Sequence, residues 1–168
     1  MAARTAVLAT GAVLLRARRL QRDTLFDTPG GSLRERGCAL RVRLDGDRSI
    51  LTYKGPVQPG SMKVRDEYET PVEHGDALVQ ILGALGYSLA FRYEKYREEF
   101  RAPGLTVAID ETPIGVYVEL EGDEPAIRET VLAMGRAESD FILSSYRGLF
   151  KAHCKATGVN TAHMTFPA

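Results

Sequence analysis

Charged side chains recur two residues apart along this chain: Arg41 with Arg43, Glu67 with Glu69, Lys95 with Arg97, and Glu119 with Glu121. Residues i and i+2 of an extended strand share one face of a sheet, so each pair presents its charges together. The opposite faces are apolar. Leu40, Val42 and Leu44 interleave with the arginines, Val107 and Ile109 with Ala108 and Asp110, and Val116, Val118 and Leu120 with Tyr117 and the two glutamates. Tyr93 shares the face of Lys95 and Arg97, and Arg65 that of Glu67 and Glu69, opposite Val64 and Tyr68, although Asp66 breaks the alternation there. A sheet with one wet face explains any single strand of this kind. An ordinary wet face mixes Thr, Ser, Gln and Lys, whereas five strands here concentrate Arg, Lys, Glu and Asp. A closed barrel whose interior carries cations on some staves and carboxylates on others accounts for that choice.

Such a lining suits a polyphosphate held with a divalent metal. Arg donates in a planar fork to phosphate oxygens and Lys supplies point charges, while carboxylates, useless to phosphate directly, hold Mg2+ or Mn2+. A nucleic-acid groove would not set Glu119 and Glu121 against its arginines, and the chain has neither a net positive charge nor an aromatic stacking pattern. No GxxxxGK[ST] phosphate loop occurs. His74, His153 and His163 lack a second ligand at metal spacing, and Cys38 and Cys154 form no CxxC pair, so neither a zinc site nor thiol chemistry is indicated.

The elements that must position these residues are mostly strands. Ala39 to Leu44 turns at Asp45-Gly46-Asp47 and runs back from Ser49 to Lys54 as a hairpin. A mobile loop from Val57 to Ser61 leads into an alternating segment, Met62 to Thr70. Ala77, Leu78, Ile81, Leu82 and Leu85 follow helical spacing up to Gly86. Strands resume at Leu89 to Arg101, Leu105 to Glu111 and Gly115 to Gly122. Asp123 caps a helix reaching about Met134, and Ser139 caps a last helix with Ile142, Leu143, Tyr146, Leu149 and Phe150 as its buried stripe.

With 168 residues, 44% of them apolar, the chain is one domain able to fold without disulfides or structural metal. Its 22 basic and 22 acidic residues cancel, yet residues 1–50 carry ten Arg against five acids, while residues 107–140 carry nine acids against Arg128 and Arg136. A split of that kind fits one site made from both halves. Thr5 to Leu15 imitates a signal peptide, but Arg16-Ala17-Arg18-Arg19 follows with no small-residue cleavage site. The stretch is also too short to span a bilayer, which takes about 20 residues. It reads as a helix tail ending at Gly11, then a strand from Ala12. No membrane partner is expected, and the two separated cysteines point to a reducing, cytoplasmic setting.

The run from Gln21 to Thr28, then Leu40-Arg41-Val42-Arg43, Leu51-Thr52-Tyr53-Lys54-Gly55, Tyr93-Glu94-Lys95-Tyr96-Arg97 and Val118-Glu119-Leu120-Glu121-Gly122 resemble the CYTH domain, the triphosphate tunnel metalloenzyme superfamily. The likeness covers residues 10–155, leaving 156–168 as a tail. It implies a mainly β, α+β fold: an antiparallel eight-stranded tunnel with flanking helices. By motif position Arg41, Arg43, Lys54, Lys95 and Arg97 resemble phosphate ligands, Glu119 and Glu121 metal carboxylates, and Glu69 a looser metal ligand. Glu67 and Asp110 would orient an attacking water. The family opens with an ExExK strand, and no such motif precedes Gly11. That implies either a start assigned too far downstream or a variant lacking a stave, with unpaired edges that invite association, such as a homodimer.

The resemblance further implies Mg2+- or Mn2+-dependent processing of ATP, tripolyphosphate or thiamine triphosphate, by adenylate cyclisation or by hydrolysis. The other reading is a module that binds polyphosphate or nucleotide without turnover. No nucleic-acid partner is expected.

Overall fold

The computed structural model describes residues 2–60 and 62–167. Helix α1 (Ala2–Ala9) leads into the long strand β1 (Val13–Asp27), then come α2 (Ser32–Glu35), β2 (Ala39–Asp45), β3 (Arg48–Lys54) and β4 (Glu67–Val72). The second half holds α3 (Gly75–Ala84), β5 (Ser88–Ala102), β6 (Leu105–Thr112), β7 (Gly115–Gly122), α4 (Glu124–Ala133) and α5 (Tyr146–Thr157). Every strand pairing is antiparallel, in the order β4-β3-β2-β1-β5-β6-β7. No helix among the described residues is long and apolar enough to cross a membrane.

The sheet is seven-stranded and open, which corrects the expectation of a closed eight-stranded barrel. Closure needs β4 and β7 to find strand partners on their outer sides, and among the described residues neither does. On the charged face Tyr146 of α5 lies against both Tyr93 on β5 and Tyr117 on β7. The result is a trough rather than a sealed tunnel.

The period-two pattern decides which face is wet. The apolar sides of β2 and β3 receive α3, where Leu78 and Leu82 pack with Phe26, Leu40, Val42, Leu51 and Tyr87. On the β5–β7 half, Val7 of α1 and Ala126 and Ile127 of α4 cover Phe100, Leu105, Val107 and Ile109. These two cores press on the convex side and leave the charged side to form the trough. Gly122 closes that half, because a Cβ there would lie 2.2 Å from the Gly104 carbonyl oxygen.

The last helix starts later than its sequence suggests. Ser139 lies in a 3-10 turn (Glu138–Asp140) that Asp140 stabilises by accepting from Ala137 N at 3.0 Å, so Ser139 caps nothing. Ser145 accepts from Gly148 N at 3.2 Å and opens α5 instead, which leaves Ile142 and Leu143 exposed. Likewise the strand expected from Met62 begins only at Glu67. The expected tail is built into the sheet. β5 outruns β6, and Met164 pairs in parallel with Tyr93 on the uncovered stretch, exchanging backbone hydrogen bonds with Arg92 and Glu94.

Candidate functional site: a charged trough

Cross-strand partners share a face, and the register therefore fixes the lining. Asp23 pairs with both Arg43 and Tyr93, Gln21 with Asp45 and Lys95, Arg41 with Thr52, and Thr52 with Glu69. Arg97 pairs with Asp110, Asp110 with Tyr117, and Lys54 with Glu67. Charges expected to face one way on separate strands thus do converge on a single surface.

Two carboxylates lie beneath it. Asp110, with no exposed surface, accepts from Lys95 Nζ at 2.7 Å, Arg97 Nε at 2.6 Å, Arg97 Nη2 at 2.5 Å and Tyr146 Oη at 2.6 Å. Arg97 Nη2 also donates to Glu119. Asp23, equally buried, accepts from Arg43 Nε at 2.9 Å and stands 3.4 Å from Arg41 Nε. Arg41 Nη2 reaches Thr52 Oγ1 at 2.9 Å and Glu69 Oε2 at 3.3 Å, and Thr52 donates to the same glutamate oxygen at 2.9 Å. At the edge Lys54 Nζ donates to Glu67 Oε2 at 2.7 Å.

All five expected phosphate cations are therefore ion-paired inside the protein. Lys95, Arg97, Asp110 and Glu119 form one group, and Arg41, Arg43 and Glu69 gather around Asp23 in a second. Lys54 and Glu67 stand apart at the sheet edge. Glu121 shares the Glu119 face, opposite Thr106, but is exposed and joins neither group. The expected roles of Asp110 and Glu67 separate here. Asp110 is saturated by four donors and serves as a counter-ion, whereas Glu67 has one bond and solvent access.

Sequence reading missed Asp23, Tyr146 and the cluster that closes one end of the trough. There Arg19 donates to Asp45 at 2.6 Å and to Glu99 at 2.7 Å, and Gln21 Nε2 donates to Asp45 at 3.0 Å. Asp23 and Gln21 did share a phase within β1. Tyr146 was legible only as part of an apolar stripe, yet its ring also lies 4.9 Å from Lys95 Nζ and against Tyr93 and Tyr117. With Phe150, Phe91, Tyr93 and Met164 it fills the other end.

The electrostatics follow from burial against pairing. Burial would raise the Asp110 carboxyl, but the hydrogen bond from Arg97 and the charges of Lys95 and Arg97 hold it well below the usual carboxylate range. Glu119, whose side chain stays 45% exposed, is lowered too, its partial withdrawal from water being outweighed by the charges of Lys95 and Arg97. Burial and the nearby Asp110 and Glu119 charges push the Tyr146 phenol far up, so it stays a donor. Burial, aided by the Arg97 and Arg43 charges, lowers Lys95 from 10.5 to about 8, against the opposing pull of Glu119 and Asp110.

That shift has a signed consequence. Between about 8 and the unfolded value the fold binds fewer protons at Lys95 than the unfolded chain, so folding stability at this group rises with pH. Anion binding moves oppositely. Metal-free tripolyphosphate affinity is expected to fall as pH rises through about 8, and Lys95→Arg, which keeps its charge, should remove that step. Titration calorimetry across the step reads both, and a flat wild-type profile would detach Lys95 from the anion.

Among the described residues no group of three or more His, Cys, Asp or Glu side chains is placed to hold a metal ion. The donors still suit Mg2+, which is commonly bound by one or two carboxylates plus substrate phosphate oxygens rather than by an all-protein cage. Glu67 with Glu69 and Glu119 with Glu121 offer such co-facial pairs.

The CYTH domain family model matches residues 4–143. "Putative adenylate cyclase MJ0240" of Methanocaldococcus jannaschii is 30% identical over 113 residues, 67% of this chain, which spans 65% of that relative's length. PH1012 from Pyrococcus horikoshii OT3 has a TM-score of 0.75 at 19% identity, over 86% of this chain and 90% of its own. HpAC1 from Hippeastrum, described as having a dominant triphosphatase activity, has a TM-score of 0.61 at 17% identity, over 89% of this chain and 90% of its own. At those identities the two structures speak for the fold alone. The family match runs through every strand of the charged trough, and the chain belongs to the CYTH domain family.

Proposed function

We propose that the trough binds a triphosphate with Mg2+ or Mn2+ and cleaves one of its phosphoric anhydride bonds. The observation that carries this reading is the burial of Arg41, Arg43, Lys95 and Arg97 on one face, each held ready by Asp23 or Asp110. Buried cations whose geometry is already fixed need little reorganisation when charge builds on phosphate oxygens. Glu119, Glu121 and Glu69 would hold the metal, which when bound neutralises charge on the phosphates. Asp110, four-fold bonded and strongly acidic, does not take a proton from a nucleophile. Glu67 is the carboxylate free enough to orient one.

In hydrolysis, water oxygen attacks the terminal phosphorus, the bridging P–O bond breaks and diphosphate leaves. In cyclisation of ATP, the ribose 3′-oxygen attacks the α-phosphorus and pyrophosphate leaves. The name of the M. jannaschii relative supports cyclisation. The test is phosphate release and cyclic AMP formation on one preparation, with tripolyphosphate, thiamine triphosphate and ATP, each with and without Mg2+ or Mn2+. Tight triphosphate binding with neither product would make the protein a binding module.

A further inference from the structure

Helix α5 and the segment after it enclose a pocket away from the trough cations. Gly158, at a φ of 75°, turns the chain out of the helix, and the returning segment reaches β5, where Met164 pairs with Tyr93. Between α5, this segment and the start of β5 lies an open pocket of about 220 Å³. Phe91 and Phe150 form its floor, both buried, with ring centroids 5.8 Å apart. Small side chains keep it open. One is Ala90, at the bulge where the β1–β5 register shifts, and another is Ala162 of the returning segment.

The rim is basic. Arg147 and Lys151 line the pocket four residues apart, so both stand on one side of α5. No Asp or Glu lines it, and Tyr146–Thr157 contains none. Each of the five strand cations has a carboxylate, whereas Arg147 and Lys151 make no ion pair with the described residues. The Arg147 guanidinium lies 5.8 Å from the centre of the Phe91 ring, which brings positive charge to the edge of the apolar floor. Size narrows the ligand further. An apolar cavity of about 150 Å³ accommodates benzene, while pockets for drug-sized molecules start at roughly 300 Å³. This one lies between those limits and has room for a single ring on a short tether.

We infer that this pocket binds a small aryl carboxylate, its ring against Phe91 and Phe150 and its carboxylate on Arg147 and Lys151. The ring displaces water from an apolar floor, and the carboxylate bridges two like charges at i, i+4 that otherwise repel. The site uses none of the trough cations and does not depend on the triphosphate reading. The two sites share α5, whose first residue, Tyr146, donates to Asp110.

The probe is hydrocinnamate, titrated into the whole isotope-labelled protein and followed by amide chemical shifts. Hydrocinnamyl alcohol serves as the uncharged analogue and acetate as the head without the ring. Saturable shifts are expected around Ala90, Arg147, Lys151 and Ala162. The acid should bind about tenfold or more tighter than the alcohol, the scale of one or two charge-assisted contacts, and acetate should not saturate over the same range. This comparison needs no substitution. Arg147→Gln/Lys151→Gln should then bind acid and alcohol alike and keep the wild-type melting temperature, since neither side chain holds an internal ion pair. Saturating tripolyphosphate should leave the acid in place. No saturable shift at those amides, equal affinity for acid and alcohol in the wild type, or undiminished acid affinity in the double variant would overturn the site. Displacement of the acid by tripolyphosphate would assign it to the trough and overturn the pocket as well.

Discussion

Asp110→Asn is expected to cost the fold about 3–5 kcal/mol, the usual consequence of removing one partner of a buried ion pair. The carboxylate is the shared counter-ion of Lys95 and Arg97, all three have at most 8% of their surface exposed, and Tyr146 adds a fourth donor. Asparagine keeps the volume and loses the charge. Two buried cations then depend on Glu119 alone, whose side chain is 45% exposed. In a domain of this size each kcal/mol shifts the melting temperature by about 2–4 °C, so a fall of roughly 10 °C is expected. Tripolyphosphate should restore more stability to the variant than to the wild type, because the anion supplies the missing counter-charge. Thermal unfolding with and without tripolyphosphate measures both. An unchanged melting temperature combined with lost turnover would instead make Asp110 a catalytic group, the role its sequence position first suggested.

Asp110 also shows where sequence reading stops. Phase along a strand is local information, and alternation between Val107, Ala108, Ile109 and Asp110 suffices to put the carboxylate on the charged face. How many donors converge on it is not local. Three come from Lys95 and Arg97 on β5, and the fourth comes from a helix beginning 36 residues later. Lys95 and Arg97 were legible for the same reason as Asp110, and their mutual neutralisation was hidden for the same reason. An inward set of cations read from alternation alone looks self-repelling. Asp23, on β1 between the cations of β2 and β5, and Asp110, on β6 beside those of β5, remove that repulsion.

The fold divides along similar lines. Strand limits near Gly46, Gly115 and Gly122 follow from turn chemistry and were legible. The start of α5 was not, because Ser139, Ser144 and Ser145 are all chemically able to cap a helix. Tertiary packing decided it: Tyr146 and Phe150 must face Tyr93 and Phe91, and only a helix opening at Ser145 sets them there. Closure of the sheet is a still longer-range property. Alternation within β4 and β7 carries no information about whether their outer backbone groups meet a partner.

Glu119→Gln is expected to tighten metal-free tripolyphosphate binding and to abolish most of the benefit that Mg2+ gives it. Without ligand, expected metal carboxylates lie on expected phosphate cations: Glu119 on Arg97 and Glu69 on Arg41. Lys54 and Glu67 are paired in the same way. A polyphosphate arriving alone must break these pairs and leave its own charge beside freed glutamates. A metal arriving alone strands the cations. When both arrive, each freed carboxylate finds the metal and each freed cation finds a phosphate oxygen. The two ligands should therefore bind with positive coupling, and linkage requires the factor to be the same whichever is added first. Couplings of this kind are commonly about 5- to 150-fold. Replacing Glu119 by the neutral amide frees Arg97 in advance and removes one group the metal rewards, so the ratio of affinities with and without Mg2+ should shrink by about tenfold, within that range. Calorimetric titration of tripolyphosphate into both proteins, with and without Mg2+, reads the ratio directly. If the variant bound tripolyphosphate more weakly without metal and kept the full Mg2+ effect, Glu119 would be only a structural partner of Arg97, and the exchange of partners would not be how this trough couples its two ligands.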